Sequence, residues 1–202
     1  MKLISLKRLI CRLNGFFIKN AIKQTVNECI YSWKAAYTIE EKNCILQITL
    51  IINLIPDAGI KRSELSARKK VWEQAIQEAW SEQFILPLNS GKCSCRAHSV
   101  QLNAIFSSKN SHHTVFVHAG AGRSNIRHWY MEDTGAVAAH EVGHMLGYAD
   151  EYQDASCPNR NYPKDNSIMR KIGGEVQKRH YERFRKWLDS KTCCDHGIEE
   201  PV

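Results

Sequence analysis

A chain of 202 residues, 43% hydrophobic and 24% charged, is long enough to bury one real core and too apolar to be a disordered segment. Its formal charge of +7 is uneven: residues 1–40 hold seven Lys or Arg against Glu28 and Glu40, whereas 129–156 hold Glu132, Asp133, Glu141, Asp150, Glu151 and Asp154 and no Lys or Arg. No nucleic-acid motif accompanies the basic charge, so nucleic acid is not an expected partner, and the longest uncharged apolar run, residues 43–56, is too short for a membrane helix.

Residues 2–24 place Leu3, Leu6, Ile10, Leu13 and Phe17 at helical spacing among lysines and arginines. This predicts a basic amphipathic helix, weakened by Asn14-Gly15, that packs on the domain, links to another module or touches a membrane surface. We therefore expect an extension or linker over 1–40 and a single domain over 41–202. Met1-Lys2-Leu3-Ile4 opens like a secretory leader, but Lys7, Arg8 and Arg12 interrupt any apolar region. A standard cleaved signal is not expected. Location stays open between the cytoplasm and export or delivery by another route.

The β-branched run over 44–54 predicts a buried strand, and 64–84 a helix with Leu65, Val71, Trp72, Ala75, Ile76, Ala79 and Trp80 on one side. Strands are predicted over 100–106 and 114–118, followed by a glycine-rich loop over 119–125. Asp133 or Thr134 can cap the next helix, which runs to about Gly147. A polar loop follows over 150–166, then Ser167-Ile168-Met169. A last helix is predicted over 174–189, with Val176, Tyr181, Phe184 and Trp187 facing inward.

The eight cysteines do not follow the spacing of a disulfide-dense miniprotein. Cys157 with Cys193 or Cys194 is the expected bridge. Cys93 and Cys95 with Cys193 and Cys194 form a weaker candidate for a structural zinc. Cys11 or Cys29 as an inhibitory thiolate on a metal is a remote alternative.

The chemistry concentrates in His140-Glu141-Val142-Gly143-His144-Met145-Leu146-Gly147-Tyr148-Ala149-Asp150. Residues i and i+4 of a helix share a face, so His140 and His144 can address one metal ion. Glu141 projects beside them as a base for an activated water. Gly147 lets the helix stop, and the chain can return Asp150 as third ligand. Two imidazoles and one carboxylate leave a fourth position of zinc open, which is what peptide hydrolysis requires. Glu151 is a rival third ligand. A later Glu175 or Glu182, as in gluzincins, is another. A zinc-stabilised binding module with a fourth protein ligand is the non-catalytic alternative. His112, His113, His118 and His128 lie upstream as minor candidates.

H-E-x-x-H-x-x-G-x-x-D followed by Ser167-Ile168-Met169 resembles the metzincin clan of zinc peptidases. The aspartate in the third position is similar to the snapalysin subgroup and to metzincin-like bacterial toxin domains. The resemblance spans residues 44–190 in layout and 140–169 in motif. It implies an α+β fold: a small mixed twisted sheet, a long backing helix, an active-site helix and a C-terminal helix. It implies a monomeric zinc endopeptidase acting on protein or peptide, with Glu141 as general base and a delivered toxin or effector as one setting. Met169 would be an apolar floor beneath the metal. Val115, Phe116 and Val117 would form the edge strand along which substrate pairs. Where many clan members have a tyrosine two residues after the methionine, this chain has Lys171; Tyr148 and Tyr152 are the nearest substitutes.

Overall fold

The computed structural model describes residues 18–160 and 162–201. They form a mixed α/β fold in which one curled sheet carries three helices, in keeping with the expected α+β class. The strands are β1 (Ile18–Glu28), β2 (Tyr31–Lys42), β3 (Ile45–Pro56), β4 (Ile85–Ser90), β5 (Ala97–Phe106), β6 (His113–His118), β7 (His128–Tyr130) and β8 (Asp195–His196). The helices are α1 (Arg62–Trp80), α2 (Gly135–Leu146) and α3 (Lys178–Thr192).

The sheet runs β1-β2-β3-β5-β4-β8. β1, β2 and β3 form an antiparallel meander, and the β2–β3 turn has both Asn43 and Cys44 at positive φ. That geometry matches the right-handed twist of the flanking strands. β3 and β5 are parallel, so the chain must cross over between them, and α1 lies in that crossover. Alternation along β3 sends Leu46, Ile48, Leu50 and Ile52 into the core, and β5 adds Val100, Leu102 and Ala104. Leu65, Trp72, Ile76 and Trp80 of α1 close over them. Val71, expected inward, is exposed.

The two tryptophans of α1 also position α2. Trp72 Nε1 donates to Asp133 O at 3.0 Å, just before α2 begins, and Trp80 Nε1 donates to Ala139 O at 2.9 Å. A buried indole needs an acceptor, so each bond fixes a point of α2 at little net cost. α3 is tied to the same place by Tyr181 Oη, which donates to Trp80 O at 2.7 Å.

Three expectations need correction here. From Ile18 onward the N-terminal segment is strand, not helix: β1 pairs with β2 from Ile18↔Glu41 to Glu28↔Tyr31. The boundary expected at residue 40 falls inside β2. The rest of the expected amphipathic helix, residues 1–17, lies outside the described residues. Next, β6 is not an edge. It pairs with β3 on one side and β7 on the other, and Phe116 N donates to Arg127 O at 2.8 Å. Val115, Phe116 and Val117 therefore offer no free strand edge for a substrate, because their main-chain groups already pair within the sheet. Finally, the disulfides that join two described residues are Cys29–Cys157, Cys44–Cys95 and Cys93–Cys194. Cys157 does not bridge the C-terminal pair. Bridged Cys93, Cys95 and Cys194 cannot supply thiolates to a structural zinc, nor can Cys29 inhibit a metal; Cys11 lies outside the described residues. No described cysteine is free.

Candidate metal centre

α2 begins at Thr134, whose hydroxyl accepts from Val137 N, and ends at Gly147, which adopts φ 100°. A residue with a side chain is strained at that φ, so the glycine lets the chain leave the helix sharply. Three residues later Asp150 returns to the helix face. Its Oδ1 lies 3.3 Å from His140 Nε2 and 3.4 Å from His144 Nε2. Donors bonded tetrahedrally to zinc at about 2.0–2.1 Å would stand roughly 3.3 Å apart.

The imidazoles are held in the required tautomer. His140 Nδ1 donates to Ile168 O at 2.7 Å and His144 Nδ1 to Tyr148 O at 2.8 Å. Each carbonyl can only accept, so each Nδ1 carries the proton and each Nε2 presents a lone pair. Asp150 Oδ1 is buried and has no hydrogen-bond donor. Three acceptors thus converge among themselves, an arrangement that calls for a cation. The electrostatics agree. Burial would lower the His144 pKa, yet Asp150 and Glu141 hold it above its usual value. Burial would raise Asp150, yet the two imidazoles hold its carboxyl well below the usual range. Positive charge is drawn to this point, as a proton or as a metal.

Glu141 is 5% exposed, and its Oε2 has no partner. Burial raises its pKa, opposed by His144 and His140. It lines the same cleft as the three donors, a space of about 410 Å³ that also meets Glu28, Tyr31, Trp33, Arg123 and Tyr152.

Beneath the helix lies the turn at Met169. Its side chain is fully buried against Gly143, the residue just before His144; a Cβ at Gly143 would sit 2.2 Å from Met169 Sδ. The turn does more than pack: Ile168 O anchors His140, and Met169 O accepts from Glu151 N at 2.8 Å, fixing the residue next to Asp150.

The rivals fall away on geometry. Both carboxylate oxygens of Glu151 are engaged by Arg179, at 2.6 and 2.5 Å. Glu175 and Glu182 are not among the converging donors, and Glu182 pairs with Arg185. Tyr148 is structural: its ring stacks on Trp80 and its hydroxyl donates to His180 O. Tyr152 does line the cleft, with its pKa pushed up to about 12 by burial and by Asp150. Lys171 is exposed. His112 holds β3 through Ile51 N, His113 bonds Ala36 O, and His118 joins Asp57 and His128; none lines the cleft. A second group, Glu41, Cys95 and His98, also converges, but Cys95 is spent in its disulfide with Cys44.

Sequence reading missed the cleft's other wall. The β1–β2 hairpin reaches over the site: Trp33 Nε1 donates to His144 O at 2.8 Å, and Tyr31 Oη meets Ser156 Oγ at 2.9 Å. The Cys29–Cys157 bridge and a two-pronged Arg160–Glu28 pair, both bonds 2.9 Å, join the hairpin to the loop after Asp150. No protein-family model, no curated protein and no solved structure matches the chain.

Proposed function

We propose that the protein is a zinc-dependent endopeptidase built on a metzincin-like cradle. The observation that carries this reading is the convergence of His140, His144 and Asp150, with Nε2–Oδ1 spacings suited to a tetrahedral ion and both imidazoles oriented by backbone carbonyls. The helix, the glycine stop, the returning aspartate and the buried Met169 beneath them support the metzincin-like reading.

Zinc in this cradle would supply a Lewis acid for a peptide carbonyl and an acidified water. Glu141 takes the proton of the attacking water and passes it to the leaving amine; its raised pKa suits a group that must both accept and return a proton. Tyr152, protonated at neutral pH, offers a hydroxyl donor on the cleft wall. The buried Met169 keeps the floor apolar.

The non-catalytic alternative needs a fourth protein ligand. Among the described residues the converging group has three members and faces a cleft, which favours an open position. The three disulfides between described residues support folding in an oxidising compartment, and so export or delivery outside the cytoplasm; a toxin or effector role fits that setting by analogy alone.

The test is hydrolysis of an unfolded protein substrate by the purified, zinc-loaded chain. Glu141→Ala should retain about one zinc per chain by elemental analysis and lose at least about a thousandfold in kcat/KM. Full activity in that variant would falsify the mechanism.

A further inference from the structure

We propose that Arg123 is the specificity-determining residue of the cleft and selects peptides that carry a carboxylate near the scissile bond. The inference rests on the peptidase reading above. Arg123 is the single Lys or Arg among the residues lining the cleft with His140, Glu141, His144 and Asp150. It is exposed, and among the described residues it has no ion-pair or hydrogen-bond partner.

The neighbouring acids are engaged elsewhere. Glu28 takes both its bonds from Arg160. Asp154 Oδ1 accepts from the backbone N–H groups of Ser156 and Cys157, each at 2.8 Å. Asp150 faces the two imidazoles, and Glu141 is buried beside them. A permanently charged guanidinium without a carboxylate, in a cleft, has its forked donors free for one that arrives.

Its backbone is fixed in advance. Ser124 Oγ donates to Asp133 Oδ2 at 2.6 Å, and Asn125 N donates to His128 O at 2.9 Å. On the other side, Gly122 lies against the Tyr130 ring so closely that a Cβ would come within 2.1 Å of it. Arg123 stands between held neighbours, so binding orders a side chain and not a loop. Of the remaining lining, Tyr31, Trp33 and Ile126 contribute aromatic or apolar surface and Ser32, Ser124 and Asn125 neutral polar surface, with no second cation.

The experiment measures binding and cleavage separately, on the full zinc-loaded chain. Fluorescence anisotropy with Glu141→Gln compares amidated peptides containing Asp or Glu with their Asn or Gln isosteres, and with a neutral peptide bearing a free C-terminus. The acidic peptides should bind about five- to tenfold tighter, with the preference shrinking as salt rises from about 50 to 500 mM. Adding Arg123→Ala should abolish the preference, Arg123→Lys should keep part of it, and Arg123→Glu should turn it toward lysine-containing peptides. Tight binding confined to the free C-terminus would identify the terminal carboxylate as the group selected. Equal binding of acid and amide peptides, or a preference unchanged by Arg123→Ala, overturns the proposal. Wild-type cleavage of the same peptides is scored independently. Acid-selective binding without cleavage upholds Arg123 and overturns the peptidase reading; cleavage without acid preference does the reverse.

Discussion

The two walls of the cleft reach order by different physics. The floor is α2 with α1, α3 and the Met169 turn: buried tryptophans, a glycine admitting a methionine, and imidazoles bonded to backbone carbonyls. The roof is the β1–β2 hairpin with the loop after Asp150, held by one disulfide, one forked ion pair and two hydrogen bonds. Close packing holds the donors still and also anchors β2 through Ala35, Tyr37 and Ile39, whereas cross-links hold the hairpin tip, where Ile30 and Tyr31 stay exposed. Side chains that must not move sit on the first kind of wall; the second lines the cleft with Tyr31, Trp33 and Tyr152, and Arg123 joins them from the loop between β6 and β7.

The sharpest way to break this contrast is in the floor. Trp80→Ala removes a side chain 1% exposed together with its bond to Ala139 O. It should cost about 3–5 kcal/mol in urea unfolding and weaken zinc binding with it. If stability falls by less than about 1 kcal/mol, the floor is not packed as described. In the roof, Cys29→Ser with Cys157→Ser should cost about 2–4 kcal/mol, since the bridge spans 128 residues of chain. Zinc affinity should change by less than about threefold, because none of the three donors lies in the hairpin. A loss of zinc equal to that of the floor variant would merge the two regions into one.

Acid should act on neither wall, and with the smallest effect, through two histidines of β5 and β6. His98 and His113 are buried and held neutral, each with its pKa lowered to about 4, chiefly by burial. The folded protein refuses protons that the unfolded chain accepts below about 6.5, so this stability is present above 6.5 and lost as pH falls toward 4. The loss should be on the order of 1–3 kcal/mol, read from urea midpoints of the zinc-free protein. It should be equal in the variant lacking the Cys29–Cys157 bridge, since that bridge does not titrate, and smaller in His98→Gln. A decline confined to the variant without that bridge would contradict the assignment.

What could be read from sequence divides along the same line. α2, Gly147 and Asp150 were legible because their geometry is local: helical periodicity and an eleven-residue span place the donors together. Asp150 converges with the two imidazoles and Glu151 does not, for a reason no spacing reveals, since Arg179, 28 residues away, claims Glu151. β1 was misread because a strand is defined by its partner, and the aromatic and β-branched residues of β2, Trp33, Tyr37, Thr38 and Ile39, were overlooked as the signal of that partner. β6 was misjudged as an edge because β7, three residues long, is too short to register as a pattern. The cysteine pairing follows from strand order, which composition does not encode. Trp33 went unremarked because nothing near it in the chain announces a cleft, and Arg123 was noted only as part of the glycine-rich loop, with no role of its own.

The backbone carbonyls behind the two imidazoles carry a last implication. Ile168 O and Tyr148 O grip each ring at Nδ1, the side away from the proposed ion, so the donors would not depend on it for their aim. A chelator should therefore strip the site and leave the circular dichroism of the protein intact, unlike a zinc finger, which melts when emptied. Cobalt could then be reloaded into the same three donors as a coloured reporter of what enters the fourth position.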